Sequence, residues 1–209
     1  GTARAVHLER ENLSKIAVER ILTELKKLLC GARAESIALE YRDVFEVIMP
    51  ELRALSGDEY MLAARRMALV SPAPELRLAA LLCDLPAESA RECVARLKTS
   101  KVSRKFIESV ISRVKTPMPS DRIGMRRLAG ECGEELMLGL AEIQSAHVTA
   151  LCHMIVQQGD CVSLKQLAVN GDDVFRVGVT RRMIGECLNG LLERVMEGAL
   201  PNEKQALLD

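Results

Sequence analysis

Ile16-Ala17-Val18-Glu19-Arg20-Ile21-Leu22-Thr23-Glu24-Leu25-Lys26-Lys27-Leu28-Leu29 is the stretch whose periodicity decides the fold class. Ile16, Ile21, Leu22, Leu25, Leu28 and Leu29 recur at helical spacing, while Glu19, Lys26 and Lys27 take the polar positions. The spacing predicts one amphipathic helix over about 13–29, with Gly31 as its C-cap. Working outward, 34–44 reads as a second short helix, and 45–52 is an apolar cluster stopped by Pro50. Asp58 is expected to cap a third helix, closed by Ser71-Pro72-Ala73-Pro74. A helix over 75–83 follows, then one opened by Pro86 and running through 97, then one over 103–114 broken by Thr116-Pro117-Met118-Pro119. Two more are expected near 120–131 and 134–157. Beyond Gly159-Asp160 come a short apolar piece (164–169), a turn at Asn170-Gly171-Asp172-Asp173, a helix over about 181–196 ended by Gly198, and a last short one opened by Pro201. No stretch alternates like a half-buried strand over more than four residues. The expectation is all-α, about ten to twelve short helices with short connections. No period recurs with the same residues, which argues against a solenoid.

Composition agrees. Hydrophobic residues make up 48% of 209, enough for a proper core, but only two Tyr and three Phe are present and no Trp. The core must therefore be aliphatic, from Leu, Ala, Val, Ile and Met. Lys and Arg (29) balance Asp and Glu (29), so a nucleic-acid partner would have to be met by a local basic patch. Seven cysteines without a C-x-x-C fit thiols used as small apolar side chains in a reducing cytoplasm. The three histidines share no ligand spacing with them, and no apolar run approaches a membrane span. The opening Gly1-Thr2, without Met, fits a processed or excised chain.

Two separated strings carry a resemblance. Glu19, Arg20, Glu24, Leu28, Leu29 and Gly31 match the neck helix of the class II CCA-adding tRNA nucleotidyltransferases, a family shared with bacterial poly(A) polymerases. Ala17 departs from it, standing where relatives have a capping Ser, so the helix is expected to extend further back. At the other end, Leu167-Ala168-Val169-Asn170-Gly171-Asp172-Asp173, Ile184-Gly185-Glu186 and Gly198-Ala199-Leu200-Pro201-Asn202-Glu203 resemble the tail of the same family, in the right order. Asn170 and Gly171 both tolerate positive φ, and such a turn can offer backbone N–H groups to phosphate.

Leu78-Ala79-Ala80-Leu81-Leu82-Cys83-Asp84 is similar to the metal-binding segment of HD-type phosphohydrolases, with Cys83 in the histidine position and no upstream His at 59–64. Asp84 alone cannot hold a catalytic metal pair, so no metal is expected there. The remaining feature is a basic run: Lys98, Lys101, Arg104, Lys105, Arg113 and Lys115, with Arg122, Arg126 and Arg127 behind it. Lys101, Arg104 and Lys105 fall on one helix face. A smaller basic set, Lys165, Arg176, Arg181 and Arg182, surrounds the Asn170-Gly171 turn. No D-x-D pair after a Gly turn, Walker loop or G-x-G-x-x-G appears.

The resemblance implies an elongated neck (1–33), body (34–158, with the degenerate HD-like segment) and tail (159–209, tRNA-binding). It implies the RNA-binding C-terminal portion of an enzyme that adds CCA to tRNA from CTP and ATP with Mg²⁺. The catalytic head is absent from this chain, which by itself is expected to be inactive, with no catalytic or metal residue and no cofactor. The expected partners are the tRNA acceptor and T arms and the missing head. RNA contacts are assigned to Lys98, Lys101, Arg104, Lys105, Lys165, Asn170, Gly171, Arg176, Arg181 and Arg182, and neck support to Glu19 and Arg20. With five aromatics in all, the grip is expected to read duplex backbone, not stacked bases. Alternatives are the same region of a poly(A) polymerase, a metal-free HD-type relative and a helical interaction scaffold.

Overall fold

The computed structural model describes residues 2–209 and is helical throughout, with no strand among them. Its helices are α1 (Thr2–Glu9), α2 (Val18–Leu29), α3 (Ala34–Glu40), α4 (Arg42–Ile48), α5 (Gly57–Leu69), α6 (Pro74–Leu82), α7 (Ala87–Arg96), α8 (Lys101–Arg113), α9 (Arg122–Cys132), α10 (Glu134–Gln144), α11 (Ala146–Gln157), α12 (Gly171–Arg176), α13 (Ile184–Met196) and α14 (Lys204–Leu208). Single 3-10 turns lie at Arg10–Lys15, Pro50–Ala54 and Leu164–Gln166. Fourteen helices exceed the ten to twelve expected: α1 and α12 lie where no helix was expected, and two periodic stretches are each broken once. Tyr41, at ψ 36°, separates α3 from α4, and the extended Ser145, at ψ 136°, separates α10 from α11.

Several boundaries differ from the sequence reading for local reasons. The lack of a capping Ser at position 17 does not let α2 run back. Ala17 and Ile16 are both extended, and α2 starts at Val18 without a side-chain cap. Ser56, not Asp58, starts α5: its hydroxyl accepts from Glu59 N–H while the Glu59 carboxylate accepts from Ser56 N–H at 2.8 Å. Pro74 lies inside the first turn of α6, and Pro86 sits one residue before α7.

The chain forms two compact units, one up to Pro117 with Glu142–Gln144, the other Met118–Ala141 with Ser145–Asp209. The 1–33, 34–158 and 159–209 parts are divisions by resemblance; the units are divisions by packing, and they part at the Pro117–Pro119 break.

In the first unit α6 packs against α5 and α8. Leu76 to Leu82 are all buried, and Phe45, Leu52, Tyr60, Met67 and Ile107 of the same unit are each no more than 1% exposed. Arg77 is the charged member of that run. It is 8% exposed, and its guanidinium donates to Leu29 O at the end of α2 (2.6 Å) and to Ala68 and Val70 O at the end of α5 (3.3 and 3.2 Å). Helix C-termini leave carbonyls unpaired and carry partial negative charge, so one buried cation closes two helix ends at once.

The second unit holds two apolar clusters. Met125, Ala129, Met137, Cys152 and Ile155 form one, and Val169, Val174, Leu192, Val195, Met196 and Leu207 form the other. Its helices α11, α12 and α13 end alike. Gly159, Gly178 and Gly198 take φ of 63°, 101° and 76°, and the next residue's N–H reaches back to the carbonyl five positions earlier. That is the left-handed glycine stop, open to glycine at no steric cost.

Candidate functional site

On α2, Glu19 and Arg20 are both exposed. Glu19 accepts from Lys98 Nζ at 2.8 Å, which holds its carboxyl below the usual carboxylate range. Arg20 and Glu24 rim an open, otherwise apolar groove of about 560 Å³, floored by Ile21, Leu25, Leu28 and Phe45. Ile21 and Leu28, two half-buried members of the apolar stripe, are thus groove lining and not core.

At the HD-like segment the site does not fit a divalent cation. The Arg66 guanidinium, from α5, donates to Asp84 Oδ2 at 2.7 Å and lies 3.0 Å from Cys83 Sγ. The cation beside Asp84 is therefore an arginine, and burial pushes the Cys83 thiol up, against the pull of Arg66. Among the described residues no three His, Cys, Asp or Glu side chains converge as metal ligands.

The basic run divides in two. Lys98 ends α7 in the left-handed conformation at φ 53°, and Lys101, Arg104 and Lys105 follow on the first turns of α8. Ser100 caps that helix through Ser103 N–H (3.1 Å). The Ser103 hydroxyl donates to Glu75, which also accepts from Lys26 of α2 at 2.7 Å. Burial raises the Glu75 carboxyl, but these two donors hold it below the ordinary range. Lys101 and Lys105 are exposed; Arg104 is half-buried, with Nε enclosed and unpartnered.

The arginines behind them are committed internally. Asp160, 9% exposed, accepts from Arg122 Nε (2.8 Å) and Arg126 Nε (2.7 Å). Arg126 also reaches Met196 O, and Arg127 bonds Glu193 and Glu197 at 2.8 and 2.7 Å. These pairs hold α9 against the end of α13. Sequence cannot separate the two kinds of arginine, because the partners lie more than thirty residues away.

In the tail, the Asn170-Gly171 turn is built otherwise than expected. Neither residue has positive φ: Asn170 is extended, and Gly171 opens α12 with its Cα facing Ile184. The Asn170 side chain accepts from Asp172 and Asp173 N–H (2.9 and 3.1 Å), and Asp173 accepts from Asn170 N–H. The donors of the first turn are thus taken by the chain's own side chains, with two carboxylates beside them, so the turn offers phosphate no cradle of free N–H groups. Asp173 also binds Lys204 of α14 (2.6 Å), which lowers its carboxyl. Asn202 accepts from Ala168 N–H and donates to Gln166 O, both at 2.8 Å. The family-like asparagines therefore pin the segment.

Several cations face outward there. Lys165 lies on the wall of an open groove of about 830 Å³, shared with Ser163, Gln166 and Asn189. Arg176, Arg181 and Arg182 are exposed around the end of α12 and the turn into α13. One residue there escaped the sequence reading. Phe175 is 46% exposed, with the Arg181 guanidinium 5.5 Å from its ring centre. Phe175 is thus one aromatic ring left outside the core. The signal was available, since Phe175 is followed by Arg176 and, six positions on, by Arg181 and Arg182.

Comparison with known proteins adds the following. A family model described as tRNA nucleotidyltransferase domain 2 matches residues 74–209. One described as "Probable RNA and SrmB-binding site of polymerase A" matches residues 1–55. The CCA-adding enzyme of Lactiplantibacillus plantarum is 28% identical over 227 residues, covering 100% of this chain and 53% of its own length. The CCA-adding enzyme of Bacillus velezensis is 29% identical over 220 residues, covering 97% and 52%. The chain spans about half the length of the curated relatives it matches.

Proposed function

The chain belongs to the tRNA nucleotidyltransferase domain 2 family, and from that premise we propose that it is the tRNA-binding C-terminal portion of a CCA-adding enzyme. The observation that carries this reading is the alignment of essentially the whole chain with about half of each CCA-adding relative. In this reading the other half is the catalytic head, which takes CTP, ATP and Mg²⁺ and performs the nucleotidyl transfer. No residue of this chain is assigned to them. The apolar groove on α2, rimmed by Arg20 and Glu24, is the surface assigned to the head, with the Glu19–Lys98 pair fixing the start of that helix.

Two basic surfaces serve the RNA, each within its own unit. Lys98, Lys101, Arg104 and Lys105 form one; Lys165, Arg176, Arg181 and Arg182 form the other. Asn170 and Gly171 contribute by shaping the turn. Cationic side chains against backbone phosphates suit the acceptor and T arms, which present duplex shape and not sequence. Among the described residues no helix is long and apolar enough to cross a membrane, and the cytoplasm, where tRNA is matured, is the proposed location.

The test uses tRNA lacking its 3′-terminal CCA. Incubated with CTP, ATP and Mg²⁺, the chain is expected to bind it in gel retardation and to leave it unextended. Nucleotide incorporation, or failure to bind at low salt, refutes the proposal. The polymerase A description over residues 1–55 favours a second reading, the same region of a poly(A) polymerase. The product of the intact enzyme, a fixed CCA or an A tract, decides between them.

A further inference from the structure

We infer that Phe175, backed by Arg181 and flanked by Arg176 and Arg182, is a stacking platform for an unpaired nucleobase of the bound RNA, a role that rests on the tRNA-binding reading and extends it beyond backbone contact. The ring is held out by construction. Helix α12 has six residues and is fixed at both ends, by the Asn170/Asp173 cap and by the glycine stop at Gly178. In that stop Val179 N–H reaches Val174 O (3.1 Å) and Gly178 N–H reaches Phe175 O (3.0 Å). Val174, 1% exposed, packs into the cluster with Val169, Leu192 and Leu207. Its neighbour is turned about 100° round the helix and cannot follow it inward.

Of the five aromatic residues, Phe45 and Tyr60 are buried, Tyr41 and Phe106 are half-buried, and Phe175 alone is exposed. Val177 (55%) and Met183 (46%) are further exposed apolar side chains on the same segment. The chemistry that fits is a flat, polarisable ring joined to negative charge. The Arg181 guanidinium lies over one face of Phe175, the other face takes the base, and Arg176 and Arg182 answer the flanking phosphates. The same segment exposes three arginines against the carboxylates of Asp172 and Glu186, and Arg176 lies 3.8 Å from Asp173 Oδ1. Paired bases inside a duplex offer no free face, so the base must come from a loop or from the single-stranded 3′ end.

The experiment measures binding of the full chain to three RNAs: an intact tRNA transcript, the same tRNA without its 3′ single strand, and a blunt duplex with the sequence of one arm. Phe175→Ala is expected to weaken intact tRNA binding roughly ten-fold. It should leave duplex binding and the salt slope unchanged, because no phosphate contact is lost. Phe175→Trp should retain affinity and Phe175→Leu should not, which separates stacking from apolar contact. Phe175→Ala should melt at the wild-type temperature, since the ring lies outside the core. If the loss persists on the trimmed tRNA, the base is in a loop; if it vanishes, the base is in the 3′ end, and either result supports the platform. Wild-type binding that Phe175→Ala leaves within two-fold overturns the platform while sparing the tRNA reading. The platform also falls if the duplex is weakened equally, if Leu substitutes fully, or if a poly(glutamate) peptide displaces tRNA through the same ring. A wild-type chain that binds none of the three RNAs overturns both readings.

Discussion

Arg77→Met tests whether a single buried cation holds two helix ends of the first unit. The guanidinium makes three hydrogen bonds, to Leu29, Val70 and Ala68 carbonyls, at 2.6, 3.2 and 3.3 Å. A hydrogen bond to a charged donor contributes roughly 1.5–3 kcal/mol, so the gross loss is about 4–9 kcal/mol. Against that, methionine buries no charge, and the variant is relieved of a desolvation penalty of several kcal/mol. Its side chain also refills most of the volume. The net expectation is a destabilisation of about 2–4 kcal/mol. Urea unfolding at pH 7, followed by helical ellipticity, reads it as a lower midpoint for the transition that melts α2. Arg77→Lys keeps the charge without the planar fork, and should fall between wild type and Met. A Met variant within about 0.5 kcal/mol of wild type would show that the carbonyls need no cation, and the account of this residue would be wrong.

Asp160→Asn should destabilise the second unit at pH 7 by on the order of 2 kcal/mol, below the range for a fully buried pair because Arg122 is 37% exposed. Burial raises the Asp160 carboxyl, but the donors on Arg122 and Arg126 lower it further, leaving it below its unfolded value. Its contribution is therefore present above the ordinary Asp pKa and lost as pH falls through the folded one, so wild type should lose stability below about pH 4 more steeply than the Asn variant; parallel acid limbs would contradict this. Gly130→Ala drives a Cβ into the Val162 carbonyl oxygen, which is backbone and cannot swing away. Thermal unfolding should show a loss of about 1–3 kcal/mol, and an unchanged melting temperature would mean that α9 and Val162 part freely. Lys101→Ala and Lys105→Ala should each reduce the log–log salt slope of tRNA binding by roughly 0.7–0.9, whereas Arg127→Ala should leave it unchanged. A slope altered by Arg127 and not by the lysines would invert the division between structural and RNA-facing charge.

Much of the fold was legible because helix periodicity and helix stops are local. The α2 stripe, the Thr116–Pro119 break and the left-handed glycines 159 and 198 follow from residues within a few positions of each other. The errors lie at helix ends, where several residues compete for one role. Ser56 displaced Asp58 as a cap because only Ser56 has Glu59 at the position that completes the reciprocal bonds. Tyr41 and Ser145 broke helices whose apolar pattern ran through them. At the candidate site, the basic residues could be named from sequence, but not sorted. Arg122 and Arg126 resemble Lys101 and Lys105 in the chain and differ only in Asp160, which folding brings to them. Asn170 is assigned to RNA by the resemblance, and Asn202 belongs to the same tail motif. The structure gives them the prior task of closing α12 and pinning residues 166–168, so their prominence reflects the shape of the turn.

The sorting also bears on how a chain with no net charge would hold a polyanion. Internal pairing consumes carboxylates and arginines together: Asp160 with Arg122 and Arg126, Glu193 and Glu197 with Arg127, Asp84 with Arg66. What remains outward at the start of α8 and at the end of α12 is a surplus of cations, small in extent and balanced elsewhere on the surface. Such patches act over about a Debye length, near 8 Å in physiological salt, and add no long-range steering. Affinity must then come from contacts made after encounter, phosphate by phosphate, with the ring of Phe175 supplying a term that salt does not screen. Raising ionic strength should therefore strip the lysine contribution first and leave the Phe175 dependence as a growing share of the binding that survives.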